Sequence, residues 1–245
     1  MQQDRKNLSL LERRILSWKE NINHRIFHFI LDKYIYFKGF YKKNIFIKIG
    51  ANDGITNDPF GKSFISNSNW NGHLIEPIPT VFKKLQKIYS DTSRFKCHQL
   101  AISNKNELSY INYLDPSVSN LKPYLKYWDH IASFVDGHIE KHYDGSLSPY
   151  LRKAEVECIT LNKFLEKNRI SNVDIIHIDT EGYDYKVIQT LNFDLNHPKV
   201  LVLEGHHLNF NDLFKTRNLL KQKYKFVFES RTDFYAFSEI SLIIL

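Results

Sequence analysis

The chain has 245 residues, 42% of them hydrophobic, 25% charged and 14% aromatic, which excludes disorder and collagen-like repetition and suits one large α/β unit. No stretch reaches the roughly 18 apolar residues of a membrane span, and the start, MQQDRKNLSL, lacks the apolar core of a secretory signal. The net charge of +7 is uneven: residues 1–43 hold ten Lys and Arg against four Asp and Glu, whereas the remainder holds 24 against 23. A basic face across the main body is therefore not expected, and neither is nucleic acid as a partner. Two cysteines, Cys97 and Cys158, are too few for a disulfide framework or a thiolate zinc site, and both suit buried strands. A cytoplasmic location is expected.

In residues 1–43, Leu8, Leu11, Ile15, Trp18, Ile22, Ile26 and Phe29 recur every three or four positions, with Arg13, Arg14, Lys19 and Arg25 between them. That spacing predicts an amphipathic helical extension of one or two helices. It caps the domain, or, with the aromatic run Tyr34, Tyr36, Phe37, Phe40 and Tyr41, it docks peripherally to an anionic inner membrane face or to a protein partner.

From residue 44 to 245 short apolar runs alternate with helical segments, the pattern of a doubly wound, mostly parallel sheet of Rossmann-like type. Strands are expected at NIFIKIG (44–50), GHLIEP (72–77), FKCHQLAIS (95–103), VDIIHID (173–179) and KVLVLEG (199–205). ELSYINYL (107–114) and VECIT (156–160) read as added strands, and KYKFVFES with TDFYAFS as a closing antiparallel hairpin before the apolar tail ISLIIL. Helices are expected through PFGKSFIS, with Asp58 as N-cap and Pro59 first, and through VFKKLQKIY, LNKFLEKN and YKVIQTL. Residues 115–153 lack a period and read as a lid on the acceptor side, because long loops in compact domains usually carry function. Trp128 and Tyr127 there suit stacking on sugar rings, and Ser133, His138 and His142 lie in the same stretch.

Ligands of open α/β sheets bind outside the carboxyl ends of the strands. Here those ends carry Gly50, Ala51, Asn52, Asp53 and Gly54, then Glu76 and Pro77, then Ala101 and Ile102, then Asp179, Thr180 and Glu181, and last Glu204, Gly205, His206 and His207. The first loop has two glycines rather than the three of a pyrophosphate-binding turn, and Asp53 and Asp58 would repel a diphosphate. Taken alone it is equally a tight turn. Glu76 at the next strand end suits a bidentate contact to a ribose, so an adenosyl ligand without phosphates, such as S-adenosylmethionine, fits.

The stretches IKIGANDGITNDPF, WNGHLIEPIPTVFKKL, CHQLAIS, VECITLNKFLEKN, IIHIDTEGYDYKVIQTL and PKVLVLEGHHL, in that order over residues 44–210, resemble the FkbM family of S-adenosylmethionine-dependent methyltransferases. The resemblance implies a class I methyltransferase fold, a cofactor loop at Gly50 to Gly54, Glu76 on the ribose, Ala101 and Ile102 at the adenine, and Asp179 and Glu181 toward the methionine moiety and the acceptor. It also implies O-methylation of a sugar, glycolipid, polysaccharide component or natural product. Lys48 departs from the family, and a cation there would repel the donor's ammonium if it faced the methionine end.

Methyl transfer to a hydroxyl calls for a proton acceptor, with Asp179, Glu181, Glu204, His206 and His207 as candidates. Glu181 is equally suited to cap the next helix. Ser133, His138 and His207 are expected on the acceptor side. No metal is predicted, although a divalent ion is compatible with the acids. Other readings are a cofactor-binding adapter without activity, or a metal-dependent hydrolase using Asp179, Glu181, Glu204 and His206. A homo-oligomer is compatible with the sequence.

Overall fold

A computed structural model describes residues 10–56, 58, 60–120, 131–142 and 145–239, with side chains of 10–24 and a few others outside the description. Leu8, Tyr127, Trp128, Pro59 and the tail ISLIIL lie outside the described residues, as does the side chain of His142. One helix, α1 (Leu10–Tyr41), precedes the sheet. Along its described part Ile26 and Phe29 are exposed, and the core takes Phe27, Leu31, Tyr34 and Ile35 instead. The stripe predicted from the sequence is thus not the packing face over residues 26–29. The packing face lies about one residue further round the wheel, roughly 100° away.

The remaining elements are β1 (Asn44–Ile49), α2 (Gly61–Ser66), β2 (Trp70–Ile75), α3 (Pro79–Tyr89), β3 (Phe95–His98), β4 (Ala101–Ile102), β5 (Glu107–Leu114), α4 (His138–His142), β6 (Leu151–Ile159), α5 (Leu161–Lys167), β7 (Ile175–Ile178), α6 (Asp184–Ile188), β8 (Val200–Glu204), α7 (Phe210–Lys223), β9 (Phe226–Glu229) and β10 (Asp233–Phe237). Seven strands form one sheet in the order β3-β2-β1-β7-β8-β10-β9. Its first five strands are parallel, and β10 runs antiparallel to both β8 and β9, as the predicted hairpin requires. Strand order reverses between β1 and β7, where crevices of such sheets open.

Both faces of the sheet are covered. Ile47 and Ile49 face a core with Ile176, Ile178, Leu201, Phe164 and Val187. On the other face Phe46 and Trp70 pack with Leu31, Tyr34, Ile35 and Tyr235, and the Trp70 indole donates to the Ile35 carbonyl at 2.9 Å. The C-terminal half of α1 is therefore part of this core.

The predicted third strand is two. β3 stays on β2, but Ala101 and Ile102 leave to pair with Cys158 and Ile159 of β6, whose other edge binds β5. This three-stranded sheet carries its own core, in which Ile131, Ile139 and Leu147 of the predicted lid pack on Ile111, Leu114 and Val156. β6 also starts inside that segment, at Leu151. Helix α7 has no counterpart in the sequence-based expectation, because its buried side is Asp212, Thr216 and Leu220 while Phe210 and Phe214 are exposed. Among the described residues no helix is long and apolar enough to cross a membrane.

Candidate active site

At the switch point, residues that follow β1, β2 and β7 line a cleft open to solvent. Its apolar walls are Ile49, Ile75, Leu100, Ala101, Ile102 and Ile111, and its polar groups include Asn52, Glu76, Ser133, Asp179, Thr180 and Glu181. No Lys or Arg is among these lining residues. A phosphate-bearing ligand would go uncompensated there, whereas a cationic adenosyl ligand meets acids and an apolar slot.

The first loop is fixed by backbone bonds. The Gly50 and Ala51 amides donate to the Ile75 carbonyl at 3.1 and 2.9 Å. Gly50 has φ +74°, and a Cβ there would lie 1.8 Å from the Asp179 carbonyl oxygen. Only glycine lets β1 and β7 approach so closely. Glu76, buried, accepts from the Asn52 amide at 3.0 Å through Oε2 and from the Ile78 amide at 2.9 Å through Oε1.

Of the residues expected at the cofactor, Gly50, Asn52, Glu76, Pro77, Ala101, Ile102 and Asp179 do line the cleft. Ala51, Asp53 and Gly54 shape the loop instead. Ala51 packs in the core beneath α1, the Asp53 carboxylate accepts from the Ile55 and Thr56 amides, and the Gly54 carbonyl accepts from the Tyr89 hydroxyl.

Lys48 points away from this cleft. It is buried among residues of the α1 side, with Nζ 2.9 Å from His177 Nδ1, 3.5 Å from Asp58 and 4.0 Å from Asp179. Period-two alternation puts it opposite Ile47 and Ile49, and two carboxylates balance its charge. The expected repulsion of a bound ammonium therefore has no basis in the geometry. Asp58 also accepts from the Phe60 and Gly61 amides at the head of α2.

The turn after β7 presents the acids. Glu181 has φ +53°, a left-handed conformation uncommon for a side chain of this type, and its carbonyl accepts from Ser133 Oγ at 2.9 Å. Glu181 does not cap the next helix. Asp184 serves the turn, accepting from the Thr180 and Gly182 amides, and burial raises its carboxyl to about 8. The Glu181 carboxylate instead meets two imidazoles through Oε2, His138 Nε2 at 3.1 Å and His207 Nε2 at 3.2 Å. His207 Nε2 is also 3.6 Å from Glu204 Oε1. Burial, then the charge of Asp179, pushes Glu181 up to about 9, and burial also lifts Glu204 well above the carboxylate range. His206 is exposed, its ring stacked edgewise on His207. The site thus takes His207 and His138 and leaves His206 outside.

Sequence reasoning missed Phe134 and Tyr183 in the cleft wall, with rings 5.3 Å apart, and the Tyr183 hydroxyl that donates to Asn104. Tyr183 sits in the same TEGYD stretch as Glu181, so its position was visible; Phe134 lies in the aperiodic segment and had no signal. A second missed pair, His73 Nδ1 and His98 Nε2 at 3.0 Å, is stacked beside Phe164 under the sheet, and burial pulls both imidazoles down to about 4.

A family model described as the methyltransferase FkbM domain matches residues 48–228. The crystal structure of methyltransferase FkbM from Methylobacillus flagellatus KT is similar with a TM-score of 0.51 at 14% identity, covering 80% of this chain and 44% of that one. This chain therefore spans less than half of that protein's length. Precorrin-6y C5,15-methyltransferase from Geobacter metallireducens GS-15 aligns over 79% of this chain and 78% of that chain at 11% identity, with a TM-score of 0.39, too low to carry an argument. No curated protein matches.

Proposed function

The chain belongs to the FkbM methyltransferase domain family, and from that premise we propose that it is an S-adenosylmethionine-dependent O-methyltransferase whose acceptor is a sugar, glycolipid, polysaccharide component or natural product. The observation that carries the reading is the pairing, in one cleft, of the Glu76 clasp at the β2 tip with Asp179 and Glu181 at the β7 tip.

The bound cofactor would supply an activated methyl group on a sulfonium. Glu76, at the β2 tip in the cleft wall, holds the ribose hydroxyls. Ile75, Leu100, Ala101 and Ile102 give the apolar slot for the base, and the lining acids favour the donor's positive end. Asp179, 41% exposed at the cleft mouth, takes the acceptor's proton. Glu181, raised to about 9, holds a proton at neutral pH when nothing else compensates it, so it orients the acceptor as a donor. Phe134 and Tyr183 offer ring faces to an acceptor and exclude water from the cleft.

Lys48 faces away from the cleft, so it does not oppose a cationic donor. For partners, the proposal is a hydroxyl-bearing acceptor, with no nucleic acid, and an anionic lipid surface against the outer side of α1. Support for the lipid surface is that Phe29, Tyr36, Phe37 and Phe40 are exposed beside Lys33 on a segment rich in basic residues. Titration calorimetry with S-adenosylhomocysteine, followed by transfer of labelled methyl to a panel of glycosides, tests the activity. One equivalent bound and label found on an oxygen are expected. Absence of heat with this product and with the donor rejects the proposal.

A further inference from the structure

The group around Glu181 has the makings of a metal centre. Two imidazoles and a carboxylate converge from three separate parts of the chain: His138 from α4, Glu181 from the strained turn and His207 from beyond the β8 tip, with Glu204 of β8 next to His207. Two ligand sets that share Glu181, one with His138 and His207 and one with Asp179 and Glu204, each have all their donor atoms within 4.8 Å of one another. The Glu181 Oε2 separations of 3.1 and 3.2 Å from His138 Nε2 and His207 Nε2 are those of ligands around a single ion. Bonds of about 2.0–2.2 Å to a divalent transition metal give edges of roughly 2.8–3.1 Å in an octahedron and about 3.3–3.6 Å in a tetrahedron.

A second observation is independent of these distances. Glu204 Oε2 is fully buried and has no hydrogen-bond partner among the described residues, a costly arrangement for a carboxylate oxygen. The recorded ion pairs of Glu181 and Glu204 are with imidazoles only. Acids this enclosed and without Lys or Arg call for a cation that carries more charge than one proton. Two imidazoles favour ions such as Zn²⁺ or Fe²⁺ over Mg²⁺, and the carboxylate also admits Mn²⁺.

We infer that His138, Glu181 and His207 bind one divalent transition-metal ion at the acceptor end of the cleft, with Glu204 beside it. An acceptor hydroxyl that joins its coordination shell becomes more acidic, and its proton passes to Asp179, on the cleft side of the same turn. This role rests on the methyl-transfer reading; the existence of the ion does not.

The test uses the full chain, stripped with EDTA and dialysed, and follows Mn²⁺ by loss of its free electron paramagnetic signal and Zn²⁺ by calorimetry. One equivalent is expected, with affinity at least ~100-fold weaker in His207→Asn and in Glu181→Gln. Circular dichroism shows whether each variant is folded, and the wild-type isotherm alone decides if neither is. Manganese anomalous scattering within bonding distance of Glu181 and His138 is the structural counterpart. No saturable binding to wild type, or binding unaltered in both folded variants, overturns the inference. Stripped protein that binds S-adenosylhomocysteine and methylates as fast as the loaded form removes the ion's role and leaves the methyltransferase. Tight Mn²⁺ binding without adenosyl affinity does the reverse.

Discussion

Replacing Glu76 by alanine separates the cofactor reading from simple loop architecture. The side chain is buried, and its two oxygens satisfy the amides of Asn52 and Ile78. Asn52 itself has φ +49°, so the loop conformation needs support. Orphaning two buried amides costs about 1–3 kcal/mol each, and some water entry limits the sum to about 2–4 kcal/mol. For a chain of this size that lowers Tm by roughly 5–15 °C. If the same carboxylate also grips two ribose hydroxyls, loss of those charge-assisted bonds contributes a further ~2–4 kcal/mol of binding, or roughly 30- to 700-fold in Kd. Glu76→Gln keeps one acceptor but turns an NH₂ toward one of the amides. It is expected to recover part of the stability and little of the affinity. Thermal unfolding by circular dichroism and calorimetry with S-adenosylhomocysteine at 10 °C, where the variants are still folded, read the two effects separately. A folded Glu76→Ala protein that binds the ligand within threefold of wild type refutes the assignment.

Asp179→Asn removes the proposed proton acceptor without changing shape, so kcat should fall at least ~100-fold while adenosyl affinity changes little; the reverse split would place Asp179 at the cofactor instead. The pair of buried His73 and half-buried His98 makes stability depend on pH. Both fall to about 4 when folded but return to about 6.5 when unfolded, so the unfolded chain binds more protons between those values. Stability is complete above about pH 6.5 and is lost as pH drops toward 4. Each imidazole accounts for at most roughly 3 kcal/mol, and about 2 after solvent screening. Urea midpoints measured from pH 7.5 to 4.5 in wild type and in His73→Phe check this, and an equal acid loss in both proteins would count against it. The triple change of Phe29, Tyr36 and Phe40 to serine should weaken sedimentation with phosphatidylserine vesicles about tenfold or more in low salt, with adenosyl binding retained; unchanged sedimentation rejects the lipid surface.

The buried parallel strands were legible because a strand covered on both faces is a continuous apolar run, as NIFIKI and VLVLE are. The acids at their tips followed directly, since the end of a strand is also a sequence landmark. What could not be read depended on direction or register. Nothing in HHL says which histidine turns inward; the turn after β8 decides, and it chooses His207. His138 comes from a five-residue helix with no measurable period. His73 and His98 meet through the register of β2 and β3, in which His98 lies opposite Ile75. The break between His98 and Ala101, which sends β4 to a different sheet, is marked by no Gly or Pro, only by the polar His98 and Gln99. Helix α7 escaped because two of the three residues on its buried side are polar.

Helix α1 begins before the family match and yet closes one side of the sheet, with Leu31 and Ile35 wholly enclosed and Trp70 bonded to its backbone. A truncation at residue 43 would therefore strip a wall from the main body, and lost catalysis in such a shortened protein would say nothing about membranes. The useful cut is around the helix axis, not across it: the half turned to solvent can be rewritten residue by residue, while the half turned inward must keep its volume. Any graft of this leader onto another methyltransferase inherits the same obligation.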